Sequence, residues 1–202
     1  MPEGLIEAEG LDITIVPLNV QFAAETFRDK VDITNEQFLE RLVRSSALPT
    51  TSQPAVGDFE ETYRRLTAGG ATVISIHVSS SLSGTYGAAL LAAQNVGAGD
   101  AVRVIDSRSA SLALALLPIA AGRLVRAGAS ADAVVAEIES MIPRLRLIFT
   151  VDTLDFLQRG GRIGRAQALL GSLLSVKPIL GLEEGVVVPV RRERTRARAL
   201  DA

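Results

Sequence analysis

Apolar residues along this chain fall into two alternating patterns. Short blocks rich in Ile and Val, "ITIVPLNV" (Ile13–Val20), "ATVISIHV" (Ala71–Val78), "AVRVIDS" (Ala101–Ser107) and "RLIFTVD" (Arg146–Asp152), predict strands. Longer stretches between them predict helices. Thr34 followed by Gln37 makes a capping box ahead of "FLERLV". "GDFEETYRRL" places Asp58, Glu60 and Glu61 in its early turns, where the helix dipole favours them. "SLALALLPIAAGRLVRAG" ends at Gly128, and Ser130 caps "ADAVVAEIESMI". "TLDFLQRG" and "QALLGSLLSV" (Gln167–Val176) predict two further helices, and "KPILGLEEGVVVPV" a hairpin around Glu183–Gly185. "ALPTTSQPA" (Ala47–Ala55), with two prolines, predicts a loop. Strand and helix alternate from Ile13 to Met141. That favours an α/β fold with a mainly parallel sheet and helices on both faces. The closing hairpin suggests an incomplete second α/β lobe, so residues 1–146 are read as the first lobe and 147–202 as a partial second.

Composition narrows the chemistry. Apolar residues make up 48% of the 202, enough for a core, but aromatics are only 4%, so Ala, Leu, Val and Ile must build it. A net charge of −2 gives no global pull toward nucleic acid or an anionic membrane. The absence of cysteine removes disulfides, thiolate metal sites and cysteine nucleophiles, and fits a cytoplasmic setting. The N-terminal "MPEGLIEAEG" does not read as a signal peptide, and "ASLALALLPIAAG" is too short to span a bilayer, so no stable membrane insertion is expected.

The candidate chemistry lies in "HVSSSLSGTYGAALLAAQ" (His77–Gln94). Five hydroxyls, Ser79, Ser80, Ser81, Ser83 and Thr85, stand between a strand and a helix without a Lys, Cys or carboxylate. In α/β sheets ligands bind beyond the carboxyl ends of strands, and the start of a helix offers N–H groups and a positive dipole end. Such a turn suits a small, singly charged acceptor such as a carboxylate. Neither the Walker nor the dinucleotide glycine pattern is present. A helix-capping role alone also satisfies the spacing. A second hydroxyl group, Thr50, Thr51 and Ser52, also runs into a helix. It would complete a two-pronged clamp if both loops reach the same sheet edge.

Taken together, "TSQPA" (Thr51–Ala55), "HVSSSLSGTYGAAL" (His77–Leu90), "VIDSRSAS" (Val104–Ser111) and "FTVDTLDFLQRGGRIGRAQALLGSLLSVKPIL" (Phe149–Leu180) resemble successive signatures of the DegV family, over about residues 11–200. The resemblance implies a two-lobed α/β fold holding a long-chain fatty acid in an apolar tunnel between the lobes. It also implies a carrier that is not itself an enzyme. Such a carrier presents the carboxylate to a separate ATP-dependent fatty acid kinase subunit, which makes an acyl phosphate for phospholipid synthesis. Carried over by motif, Thr51 and Ser83 hold the carboxylate. Ser52, Ser80, Gly84 and Thr85 flank them, with N–H groups of the Ser83–Thr85 turn as further donors. Arg162 of "GGRI" stands for the family's arginine near the opening, used in partner docking or head-group approach. No cofactor or metal is implied. Burying about 14 methylenes at ~0.8 kcal/mol each contributes on the order of 11 kcal/mol gross. Two hydroxyl bonds to a carboxylate add roughly 1.5–3 kcal/mol each, so the tail would supply affinity and the hydroxyls direction.

The family's opening strand with its Thr-Asp-Ser-Thr stretch, and roughly eighty further residues of a typical second lobe, have no counterpart here. The expectation is a chain truncated at both ends. Weakened fatty acid binding would follow, and apolar hairpin and helix surface would be left for a homo-oligomer to cover. Ala55 stands where the family commonly has a serine, which removes a helix cap worth ~1 kcal/mol. Two other function classes remain open. A serine hydrolase would pair His77 with Ser83, although "SLSGT" lacks the leading glycine of a nucleophile elbow. An assembly module would bind no ligand. Asp106 reads as a cap for the Ser107–Ser109 turn. "LQRGGRIGR" reads either as a phosphate grip or as a structural turn, and "RRERTRARALDA" either as an exposed helix start or as a basic contact for nucleic acid or a membrane surface.

Overall fold

The computed structural model describes residues 4, 6, 9–170 and 177–201. In chain order these form β1 (Asn19–Phe22), β2 (Glu25–Arg28), α1 (Asn35–Arg44), β3 (Thr50–Ser52), α2 (Val56–Thr67), β4 (Val73–His77), α3 (Thr85–Asn95), β5 (Val102–Asp106), α4 (Ser111–Arg126) and α5 (Ala131–Met141). They continue with β6 (Ile148–Thr150), α6 (Asp155–Arg159), β7 (Lys177–Glu183), β8 (Val186–Glu193) and α7 (Arg196–Leu200). Two compact units are each assembled from non-contiguous segments. One holds Ile13–Ser75 and Gly84–Val104; the other holds Met1–Asp12, Ile76–Ser83 and Ile105–Ala202. Among the described residues no helix is long and apolar enough to cross a membrane.

In the first unit, β2, β1 and β3 form an antiparallel sheet in that order. Only Ala23 and Ala24 separate β1 from β2, and so short a link permits antiparallel pairing alone. Val20 and Phe22 bury beside Ile33, with Phe38 of α1 tilted against Phe22 at 5.7 Å between ring centroids. The expected capping box opens α1: Gln37 N–H donates to Thr34 Oγ1 and Thr34 N–H to Gln37 Oε1. The larger core packs Phe59 and Tyr63 of α2 against Ala88, Ala89 and Ala92 of α3 and Val102. Alanines on α3 give the two aromatic rings room, and a 2.8 Å bond joins the Tyr63 hydroxyl to that of Ser75. At the start of α2 the Ala55 side chain offers no cap, and Asp58 instead accepts the Ala55 N–H at 2.9 Å.

In the second unit, β6, β7 and β8 form an antiparallel sheet. Leu180 and Val187 bury against Leu154, Ile163, Ala166 and Leu169, and Leu82 of the serine turn packs onto this cluster. Glu184 and Gly185 join β7 to β8 with φ values of 48° and 79°. Both are positive, as a two-residue type I′ hairpin requires, so the expected hairpin is present. Val134 and Ile138 of α5 and Leu117 and Ala121 of α4 are buried, while Glu9 pairs with Arg123 on the surface of α4.

The α/β class expected from the sequence is what folds. Its sheets differ from the mainly parallel one anticipated: among the described residues the strands fall into three sheets, and β1–β2, β1–β3, β6–β7 and β7–β8 all pair antiparallel. The strand expected over Ile13–Val20 begins only at Asn19, since Pro17 has no N–H to give a ladder. Thr50–Ser52, expected as loop, is an edge strand paired with β1. Of the helix expected over Gln167–Val176, residues 171–176 lie outside the described residues, and what precedes them is a 3-10 turn, Gly164–Leu169.

Candidate functional site

The serine turn follows β4, and its hydroxyls serve different ends. Ser79, 1% exposed, donates its Oγ proton to Gly185 O at 2.9 Å. Its carbonyl accepts the N–H groups of Leu82 (2.9 Å) and Ser83 (3.1 Å), and its own N–H donates to Ser109 O. Ser80 is held by Asp106: Oγ donates to Oδ2 at 2.5 Å and N–H to Oδ1 at 3.2 Å. Asp106 also accepts the Arg108 N–H at 2.9 Å, so it caps the turn after β5, as its position suggested, and the serine turn as well. The Ser83 N–H is therefore committed to Ser79, which removes it from the expected carboxylate donors. The Ser80 hydroxyl proton is likewise committed to Asp106.

Arg162 comes to the same turn. Its Nε donates to Leu82 O at 3.0 Å and its Nη1 to Gly160 O. The "GGRI" arginine thus grips the carbonyl just ahead of Ser83. Gly164 in the same motif has φ +52°, and a Cβ there would lie 2.6 Å from Val187 O. The motif is in part a tight turn docked on β8.

In the first unit, Thr51 and Ser52 lie on β3, with Thr51 exposed opposite Val20 and Ser52 half-buried opposite Asn19. Gln53 follows, and its carbonyl accepts from Asn19 Nδ2 at 3.5 Å. Gly84 is the N-cap of α3, with no side-chain cap bond, and Thr85, buried, is the first helical residue. A Cβ on Gly84 would overlap the Gln53 amide, with Cδ at 2.8 Å and Nε2 at 2.9 Å. The "TSQP" segment and the start of α3 are therefore in direct contact. No acidic residue lies in the first turn of α3 to compete for its N–H groups. The parts played by Gln53 and Ser79 carry no signal in the sequence. A serine run carries no signal for which member is buried.

His77 ends β4, 8% exposed. Burial pushes its imidazole down from 6.5 to about 4, against the opposing pull of the Asp106 charge. Between those values the unfolded chain binds the extra proton, so stability is whole above about pH 6.5 and is lost as the solution is acidified toward 4. Urea unfolding at about pH 4.5 should show a loss of about 2–3 kcal/mol relative to about pH 7.5. His77→Gln should flatten that slope. The same slope in the variant would assign the acid sensitivity to other groups. Asp32, held at about 2 by the bidentate Arg28 guanidinium, titrates below this window.

Two cavities lie in the first unit. One, about 310 Å³, is lined by Phe27, Ile33 and Arg41 among others, and the second, about 270 Å³, by Leu90, Val102 and Val104 among others. Neither is lined by Thr51, Gln53, Gly84 or Thr85.

Comparison with known proteins agrees with this arrangement of motifs. A family described as "Uncharacterised protein, DegV family" matches residues 5–202. A DegV domain-containing protein of Deinococcus radiodurans is 42% identical over 190 residues, which is 94% of this chain and 67% of that protein. A Thermus thermophilus structure described as fatty acid binding of a DegV family protein superposes with a TM-score of 0.89 at 40% identity, covering all of this chain and 70% of that one. The structure of DegV from Bacillus subtilis, described as a fatty acid binding protein, gives 0.87 at 38% identity, covering all of this chain and 71% of that one. With a match over nearly its whole length, the chain belongs to the DegV family.

Proposed function

We propose that this protein binds a long-chain fatty acid by its carboxylate and presents that carboxylate to an ATP-dependent fatty acid kinase subunit. The observation that carries the reading is the contact of the Gln53 amide with Gly84, which sets the Thr51–Ser52 strand beside the start of α3. In this reading Thr51 and Ser83 donate their hydroxyl protons to the carboxylate, with Ser52 beside them. Gly84 and Thr85 contribute the positive end of α3. Ser80 and Arg162 hold the turn that carries Ser83 rather than touching the ligand, because Ser80 is bonded to Asp106 and Arg162 to Leu82 O. Uncharged donors suit a carrier. They orient the carboxylate and leave its oxygen nucleophilic, so that it can attack the γ-phosphorus of ATP on the partner and release ADP. Use of ATP places this chemistry in the cytoplasm. The fatty acid binding described for the Thermus thermophilus and Bacillus subtilis relatives supports the ligand class.

Native mass spectrometry of protein purified from bacteria tests the reading. One retained acyl chain per polypeptide is the expected result, identified after extraction as a fatty acid. A protein that stays ligand-free after incubation with palmitic or oleic acid overturns it. The partner step is read separately. Loaded protein, ATP and a fatty acid kinase subunit in hydroxylamine should yield the acyl hydroxamate, and no hydroxamate would remove the kinase from the proposal.

A further inference from the structure

We propose that the tip of the β7–β8 hairpin is a latch that sets the geometry of the serine turn, with Ser79 as the positioning residue. The inference rests on the carboxylate-binding reading above and says how that site is held in shape. Ser79 does not face a ligand: it is buried, and its hydroxyl proton goes to Gly185 O, 106 positions further along the chain. The same Oγ accepts the Ser81 N–H at 3.2 Å, and the Ser79 carbonyl accepts the N–H groups of Leu82 and Ser83. One residue therefore joins the hairpin tip to the Ser81, Leu82 and Ser83 amides of the turn. Gly185 is needed for this approach. At φ +79° it sits in the left-handed region, and any Cβ there would overlap Ser79 Oγ and come within 3.5 Å of Arg108 Cα. Arg108, in the adjoining turn, pairs with Glu184 at 2.6 Å, so the tip is held on both of its residues. From the other side Arg162 grips Leu82 O at 3.0 Å. The hydroxyl of Ser83 is thereby aimed by bonds that no ligand contributes. Such preorganisation matters for a carboxylate, whose bonds depend on direction, and little for an alkyl chain, whose burial does not.

This difference supplies the test. Affinities of palmitic acid and of hexadecanol, which has the same chain and no carboxylate, are measured by displacement of a fluorescent fatty acid. Ser79→Ala should weaken palmitic acid about tenfold while leaving hexadecanol within about twofold. The Leu82 and Ser83 amides should also exchange hydrogen faster in the variant. Glu184→Gln loosens only the exposed ion pair and leaves the fold intact. It should cost the acid about twofold, again with the alcohol unchanged, and keeps the test valid if Ser79→Ala does not fold. Equal losses for acid and alcohol, or unchanged acid affinity and unchanged exchange at Leu82 and Ser83, would overturn the latch. If the parent protein itself shows no preference for the acid, the carboxylate reading fails and the latch loses its ligand role with it. Faster exchange at Leu82 and Ser83 in Ser79→Ala would then show that the hairpin contact is real and that the failure lies in the reading.

Discussion

Replacing Thr51 by Val and Ser83 by Ala together should lower the affinity for palmitic acid by about 10²- to 10⁴-fold. A hydrogen bond to a charged acceptor contributes roughly 1.5–3 kcal/mol, and the pair of substitutions removes two. Both substitutions keep the backbone bonds of their positions. Thr51 is exposed on the edge strand β3, where valine keeps the branched shape and gains strand propensity. The Ser83 N–H bond to Ser79 O is a backbone bond that alanine retains. The double variant, checked by circular dichroism, should therefore be folded and poorly retentive. Each single variant should lie between it and the parent. Hexadecanol should bind parent and double variant alike, because the alkyl contribution is untouched. An undiminished affinity for palmitic acid in the folded double variant would remove both hydroxyls from the site.

Gly164→Ala should cost the fold about 2–4 kcal/mol, the sum of a left-handed backbone that alanine resists and an overlap with fixed atoms. At φ +52° the new Cβ would meet Val187 O at 2.6 Å, Val186 Cγ1 at 2.8 Å and Val187 N at 3.0 Å. Those are backbone and β-branched atoms of β8, and Val187 is pinned opposite Leu182 in the β7–β8 ladder. They cannot swing aside as a long side chain could. Gly161 is the control. It also has positive φ, at +73°, but nothing lies within 4 Å of its Cβ position. Gly161→Ala should therefore cost only the backbone share, about 1–2 kcal/mol. Urea midpoints of the two variants separate the contributions. Equal losses would mean that the approach of β8 to Gly164 is not tight.

The features legible in the sequence are those whose causes lie within a few residues. The Thr34–Gln37 capping box, the Ser130 cap with its bond to Ala133 N–H, and the Glu184–Gly185 turn all form as their local chemistry dictates. The antiparallel β1–β2 hairpin is not legible in the sequence because Ala23 and Ala24 carry no turn signature, although Ala23 adopts φ 50°. The strand character of β3 comes from pairing with β1, some thirty residues earlier, and not from its own Thr-Thr-Ser.

By itself the chain determined its class, the helices between Asn35 and Met141, the family to which it belongs and the uncharged, hydroxyl-based character of its candidate site. Residue types and short-range spacing carry those properties. Folding decided how the hydroxyls are divided: Ser79 buried under Gly185, Ser80 bonded to Asp106, and Arg162 turned onto Leu82 O rather than toward a ligand. Each of those partners is 26 to 106 positions away. Serines in a row have the same donors and the same acceptors. Only the atoms that arrive from distant segments settle which partner each of these oxygens takes.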